Sequence, residues 1–324
     1  MSAANPNSQE SLERSTGKLF SALWRPYDDQ QFEDSVQLFF TRLERARFDQ
    51  SWFEGKVCLD AGYGGGRYSI GMARLGAEKV IGVDVGTEGL ENARTRSAGL
   101  RNVEFRESSV LALPFPDGAF EMVWCAGVLQ HTVDDVRTVD ELARVTKAEG
   151  YLYLLVYATG GLRWPLIQWL RPLAAQVGQP AIERAIDMSG LPANKRRTFV
   201  DDLFCPRIDF YSWGRLEHML TSRGFGNIER WGPECRLDHE ADLESYREDL
   251  EALAAVFGVD TDGDSALGGQ DKPVFEVARV AVEATIDVIC WFEDAVKRGD
   301  VSLDSAMSRV IGQGHHRVMA RKEA

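Results

Sequence analysis

The chain has 324 residues, 44% of them hydrophobic and 27% charged, which is enough to bury a sizeable core in one large domain or two smaller ones. Its formal net charge of −13 argues against a nucleic-acid partner, whose phosphates require Lys and Arg, and its longest basic run, Lys195-Arg196-Arg197, reads as a solvated helix face. Five scattered cysteines without a CxxC pair, a polar N-terminus without an apolar h-region and the lack of any bilayer-length apolar stretch predict a soluble cytoplasmic protein with no membrane role.

Residues 1–15, rich in Ser, Asn and Glu, read as frayed. Phe32, Val36, Phe39, Phe40 and Leu43 then recur at helical spacing and predict an amphipathic helix over about 30–48. Strands follow at 56–60, 79–84, 102–106, 120–125 and 151–157, with helices at about 67–75, 87–98, 134–147 and 212–223. This alternation implies βαβ units and a parallel sheet. The first strand, Val57-Cys58-Leu59-Asp60, ends in an acid and runs into Ala61-Gly62-Tyr63-Gly64-Gly65-Gly66. Glycines let the backbone turn sharply and approach a ligand where a Cβ would collide. The helix that starts at Arg67 offers unpaired N–H groups behind them. Asp84 ends the second strand, where a nucleotide-binding α/β unit sets a carboxylate for ribose hydroxyls. Asp60 would repel a pyrophosphate, but not a ligand carrying an amino group or a sulfonium.

The stretch from Val57 to Gly66 resembles motif I of the class I S-adenosylmethionine-dependent methyltransferases, of the UbiE-like small-molecule type: an apolar pair, an acid, then x-G-x-G-x-G. The resemblance implies that Asp60, Ala61, Gly62, Tyr63, Gly64 and Gly66 hold the cofactor and that Asp84 and Val85 meet its ribose. Glu107-Ser108-Ser109-Val110-Leu111-Ala112-Leu113-Pro114-Phe115 looks like the family's G-D-A-x-x-L-P-F, whose acid accepts from the adenine amino group. Ser109 takes that acid's slot, beside Val110, and a hydroxyl still accepts. Phe120 to His131 is similar to F-D-x-V-x-x-x-x-V-L-x-H, with Glu121 in place of Asp, and sets Cys125, Ala126 and Gln130 beside the cofactor's methionine end. Trp24, Arg25 and Tyr27 either touch that end or only anchor the N-terminal helix. Tyr63 and Tyr68 are expected as cofactor neighbours, since an aromatic face attracts a sulfonium. Tyr211 to Phe225 looks like the family's last helix, closed by Gly224; residues 226–231 read as the sixth strand, and His315 to Lys322 as an antiparallel seventh.

The expected fold is therefore α/β, a doubly wound, seven-stranded, mostly parallel Rossmann-like sheet with helical lid insertions. Its parts are an N-terminal helical cap (1–53), a cofactor-binding core (54–158), a lid insertion (159–210), the core continued (211–233), a second helical insertion (234–313) and the seventh strand with its tail (314–324). Both insertions leave the carboxyl ends of strands, where such sheets bind ligands. They read as a lid that excludes water and fixes the line of attack. Trp164, Ile167, Trp169 and Leu170 read as lid core. Leu243, Tyr246, Leu250, Leu253 and Phe257 mark one helix of the second insertion; Val277, Ala281, Ala284, Val288, Trp291 and Ala295 mark another, and both could supply a homodimer contact. Asp260, Asp262, Asp264 and Asp271 imitate a calcium loop, but Ser265 stands where glycine is required and the last ligand is not Glu, so a mobile acidic loop and no metal site are expected. His315-His316 reads as a strand cap.

The reaction implied is methyl transfer from S-adenosylmethionine to an O or N atom, or a C atom, of a small-molecule acceptor. His131, just past the fourth strand, is the candidate general base, with local structural bonding as its other reading; His218 and Tyr211 are secondary candidates. No N-P-P-Y or D-P-P-Y run follows that strand, which with the acidic charge disfavours a nucleobase acceptor. Two alternatives stay open. One is use of the same cofactor without methyl transfer; the other, opposed by Asp60 and the seventh strand, is a nicotinamide oxidoreductase or a non-catalytic nucleotide-binding module.

Overall fold

The computed structural model describes residues 6–24, 27–86, 88–237, 239–260 and 271–324. In chain order its elements are α1 (Pro6–Trp24), α2 (Asp29–Arg45), β1 (Val57–Ala61), α3 (Arg67–Arg74), β2 (Lys79–Asp84), α4 (Glu88–Arg96), β3 (Val103–Glu107), β4 (Phe120–Ala126), α5 (Asp135–Val145) and β5 (Thr146–Tyr157). They continue with α6 (Arg163–Val177), α7 (Gln179–Met188), α8 (Ala193–Phe204), α9 (Trp213–Thr221), β6 (Phe225–Arg230), α10 (Leu243–Phe257), α11 (Lys272–Arg298), α12 (Leu303–Val310) and β7 (His315–Lys322). Two compact units result: Met1–Ala158 with Pro206–Cys235 and His315–Ala324, and Thr159–Cys205 with Arg236–Gly314.

The first unit is built on a seven-stranded sheet of order β3-β2-β1-β4-β5-β7-β6, parallel from β3 to β5, with β7 antiparallel to both β5 and β6. The strands read as apolar runs because helices cover both faces. Leu59, Val123 and Leu154 face one side, packed by Val139 and Leu142 of α5 and by Leu216 and Leu220 of α9. The alternate residues Cys58, Met122, Trp124 and Tyr153 face the other, packed by Phe39 and Leu43 of α2 and Met72 of α3. Each such fully buried Leu or Phe contributes about 1.5–3 kcal/mol relative to an exposed one. Glu121 clips the far edge: it accepts from the Val57 N–H at 3.0 Å and pairs with Lys147 at 2.7 Å.

Strand order reverses between β1 and β4, which pair Cys58 with Met122 and Asp60 with Trp124. The carboxyl ends at this reversal are where an open α/β sheet receives ligands. The chain leaves the first unit after Ala158, just past the end of β5, returns at Pro206, leaves again after Cys235 and returns at His315, which pairs with Tyr157.

Three local expectations are corrected. Residues 6–15 are not frayed but belong to α1, whose buried Gly17 and Leu23 rest on the sheet unit; tertiary contact, not polar composition, decides the helix. The helix expected over 134–147 stops at Val145, and β5 begins at Thr146 rather than at 151, with Glu149 at φ +63° and a register shift opposite Phe120/Met122. The basic run of α8 is not a solvated face: Lys195 pairs with Asp249, and Arg196 with Glu183 and Asp187.

In the second unit, the buried Arg163 bridges Asp202 and Asp249, and its backbone N–H donates to the Tyr246 hydroxyl at 2.8 Å. Burial would raise the Asp249 carboxyl, but Arg163, His239 and Lys195 hold it below the usual range. Gly161 and Gly312, both at positive φ, touch where the two insertions meet; a Cβ on Gly312 would sit 2.4 Å from the Gly161 nitrogen. Trp164, Ile167 and Leu170 are buried as expected, whereas Trp169 is exposed. On α11 the buried face is Phe275, Ala278, Val282, Ile289 and Ala295; of the expected stripe, Ala295 is buried while Val277, Val288 and Trp291 are exposed. No helix among the described residues is long and apolar enough to cross a membrane.

Candidate active site

The turn after β1 is held by backbone bonds. Gly62 donates to the Val83 carbonyl at 2.7 Å, and Gly66, at φ +85°, donates to the Tyr63 carbonyl at 2.8 Å before starting α3. A Cβ on Gly62, itself at φ +86°, would fall 2.2 Å from Val128 Cγ2, so the loops after β1 and β4 close on each other. The Asp84 carboxylate fixes the turn from the neighbouring strand: Oδ2 accepts from the Gly64 N–H at 2.9 Å and Oδ1 from the Gly86 N–H at 2.8 Å. Each oxygen keeps a second lone pair. Burial raises this carboxyl, and the backbone donors of Gly86, Gly64 and Val85 oppose the rise.

Asp60 is buried beside Ala61 at the end of β1. Its Oδ2 accepts from the Ser69 hydroxyl at 2.6 Å, while Oδ1 has no hydrogen-bond partner. Burial pushes its pKa up to about 7, the Ser69 bond lowers it, and Asp84 adds repulsion. A buried carboxylate oxygen left unpaired in this way is satisfied by a cation. Behind the turn, Tyr63 packs its ring 4.8 Å from Phe105, and its hydroxyl is buried without a partner.

Across the strand reversal, β4 ends in the buried Cys125 and in Ala126, and a short turn carries Gln130 and His131. Burial pushes the Cys125 thiol up to about 12, so it is an inert core group. His131 Nδ1 lies 2.9 Å from the Arg207 carbonyl, which only accepts, so Nδ1 carries the proton. Nε2 then presents its lone pair, 3.3 Å from the Gln130 side-chain nitrogen. The Gln130 Oε1 atom is buried and unpartnered.

α1 runs along this same edge. The Ser109 hydroxyl donates to Glu13 Oε1 at 2.7 Å and accepts from the Leu111 N–H at 3.1 Å. A Cβ on Gly17 would stand 2.9 Å from Val85 Cγ2, so only glycine lets the helix lie this close to the loop after β2. Phe20 packs 5.0 Å from the His131 ring. Glu13, Gly17 and Phe20 are the residues missed from sequence.

The structure thus gathers Asp60, Ala61, Gly62, Tyr63, Gly64, Gly66, Asp84, Val85, Ser109, Cys125, Ala126, Gln130 and His131 at the carboxyl ends of β1 to β4. Val110 is buried in the core below them. Tyr27 lies at the joint of α1 and α2, where its carbonyl accepts from Arg96 of α4 at 2.6 Å. Tyr68 belongs to the core, 5.5 Å from Trp124. The secondary bases do not serve: His218 is exposed on α9, and the Tyr211 hydroxyl donates to Asp135 at 3.0 Å. Arg25, the side chain of Trp24 and the stretch 261–270 with Asp262, Asp264 and Ser265 lie outside the described residues.

Comparison with known proteins matches residues 59–154 to the family described as "Methyltransferase domain". The ubiquinone biosynthesis O-methyltransferase of Paracidovorax citrulli is 37% identical over 103 residues, 31% of this chain and 43% of that protein. The 27-O-demethylrifamycin SV methyltransferase of Amycolatopsis mediterranei is 31% identical over 115 residues, 33% of this chain and 42% of that protein. The matched stretch therefore spans about two fifths of these relatives' length. Among solved structures, the 4+2 cyclase SpnF has the same fold, with a TM-score of 0.51 and 18% identity over 98% of this chain and 96% of that one.

S-adenosylmethionine is the cofactor of such domains, and the residues present fit it. The unpartnered Asp60 Oδ1 and Gln130 Oε1 suit its amino group, the Asp84 lone pairs suit ribose hydroxyls, and the glycine turn leaves backbone room that a Cβ at Gly62 would fill. Residues 59–154 are similar to a methyltransferase domain.

Proposed function

We propose that this protein transfers a methyl group from S-adenosylmethionine to an oxygen or nitrogen atom of a small molecule. The observation that carries the reading is the buried Asp60 carboxylate, with one oxygen unpartnered, immediately before a glycine turn tied to Asp84. That arrangement favours a cationic, ribose-bearing ligand over a dinucleotide, because a pyrophosphate would meet the charge of Asp60. When bound, the cofactor supplies an already activated sulfonium methyl. The chain's own work is then alignment and removal of the acceptor's proton. Asp60 and Gln130 hold the amino group, Asp84 holds the ribose, and His131 Nε2 receives the proton, its tautomer fixed by the Arg207 carbonyl. To do so the imidazole exchanges its long contact with Gln130 for the acceptor. The relative named for ubiquinone biosynthesis is an O-methyltransferase by name, which supports a hydroxyl acceptor.

Because the same fold carries a cyclase, product analysis is the deciding experiment. The protein is incubated with S-adenosylmethionine and a panel of phenolic, hydroxylated and amine acceptors. Methylated product formed in equal amount with S-adenosylhomocysteine supports the reading. Conversion of an acceptor with the cofactor recovered intact refutes methyl transfer.

A further inference from the structure

Three contacts place one face of α1 along the whole ligand edge. Glu13 meets Ser109 after β3, Gly17 meets Val85 and Gly86 after β2, and Phe20 meets His131 after β4. The order of the sheet gives this line a direction. β3 is the outermost strand, β2 lies next to it, and β1 with its glycine turn comes third. With ribose hydroxyls on Asp84 at the end of β2 and the amino group on Asp60 at the end of β1, the base of a nucleoside falls toward the end of β3. The backbone supports that ordering, because the Ser108 N–H donates to the Asp84 carbonyl at 2.9 Å, so the Ser109 turn adjoins the ribose acid.

At that position the strand ends in Glu107, exposed and in register with Asp84, and the turn that follows it offers only the Ser109 hydroxyl. Ser109 has spent its proton on Glu13 Oε1 and one lone pair on the Leu111 N–H. Glu13 Oε2 accepts no hydrogen bond among the described residues. Glu13 is half-buried, and its helix is locked at two further points by Gly17 and Phe20. A carboxylate oxygen accepts and cannot donate, so it attracts an exocyclic amine and opposes a carbonyl oxygen in the same place.

Resting on the cofactor reading above, we propose that Glu13, delivered by α1 and oriented by the Ser109 hydroxyl, is the group that accepts from the 6-amino group of the cofactor's adenine. A residue 96 positions earlier in the chain than Ser109 thereby sets base specificity. The same contact makes α1 a wall of the nucleoside pocket, so bound nucleoside orders the helix and the helix retains the nucleoside.

Titration calorimetry tests this with S-adenosylhomocysteine and with S-inosylhomocysteine, in which a 6-oxo group replaces the amine. The full-length wild type, Glu13→Ala and Glu13→Gln are compared, with thermal unfolding as a check of folding. Wild type prefers the adenosyl ligand. Glu13→Ala loses about tenfold or more of that affinity while its binding of the inosyl ligand holds or improves, so the preference collapses. Glu13→Gln, which retains an acceptor oxygen, falls between. Amide exchange in α1 slows on adding the adenosyl ligand to wild type, and slows less in Glu13→Ala. A Glu13→Ala protein that binds and discriminates like wild type overturns the inference and leaves the cofactor reading intact. Failure of wild type to bind the adenosyl ligand overturns both.

Discussion

The Gly64 N–H donates to Asp84 Oδ2 at 2.9 Å, so the turn after β1 and the acid at the end of β2 are one hydrogen-bonded unit. Asp84→Ala removes the ribose acceptor and also frees the turn. Loss of hydrogen bonds to a charged group, at about 1.5–3 kcal/mol each, lowers S-adenosylhomocysteine affinity by about 10- to 100-fold or more in calorimetry. Asp84→Asn keeps one acceptor oxygen and loses less. Equal affinity in all three proteins would remove Asp84 from the site.

His131→Ala separates binding from chemistry. The imidazole touches Phe20, Gln130 and the Arg207 carbonyl but is assigned no bond to the cofactor. Calorimetric affinity for S-adenosylhomocysteine stays within about twofold, while turnover on a hydroxylated acceptor falls by about 10²–10⁴-fold. Unchanged turnover would return His131 to a structural role.

The raised pKa of Asp60, about 7 in the folded chain, ties cofactor binding to protons. Its unfolded value is near 3.9. Between those values the folded protein binds more protons than the unfolded one, so this group's contribution to stability declines as pH rises from about 4 to 7. A cationic ligand favours the ionised form and expels the proton. Calorimetry at about pH 6.5, where an α-amino group is already protonated, should give different binding enthalpies in phosphate and in Tris. Asp60→Asn should abolish the difference. Buffer-independent enthalpies in wild type would mean that no proton leaves Asp60 on binding.

Gly62→Ala places a Cβ 2.2 Å from Val128 Cγ2 at a backbone φ of +86°. Overpacking and left-handed strain together cost about 2–5 kcal/mol, read as a lowered Tm. Val128→Ala alone loses packing, but in Gly62→Ala it relieves the overlap, so the double mutant is more stable than the sum of the single losses. Strict additivity would show that the two loops do not press on each other.

The cofactor edge was legible in sequence because its signals are local. Asp60, the glycines and Asp84 mark strand ends by themselves. α1 was not legible. Its anchoring partners, Val85, Ser109 and His131, lie far along the chain, and its polar composition resembles a frayed terminus. α11 shows a different limit: Phe275, Ala278, Val282 and Ile289 form one apolar face, while Val277, Val280, Val288 and Trp291 form another. Periodicity finds such a helix but cannot choose which face is buried. Trp169 failed for a similar reason, being apolar yet exposed on α6.

A crystal structure with S-adenosylhomocysteine tests the central claim most directly. The expected density puts ribose hydroxyls on Asp84, the amino group between Asp60 and Gln130, and the base between Ser109 and Glu13. Density for the ligand away from the carboxyl ends of β1, β2 and β4, with those side chains unchanged, would contradict it.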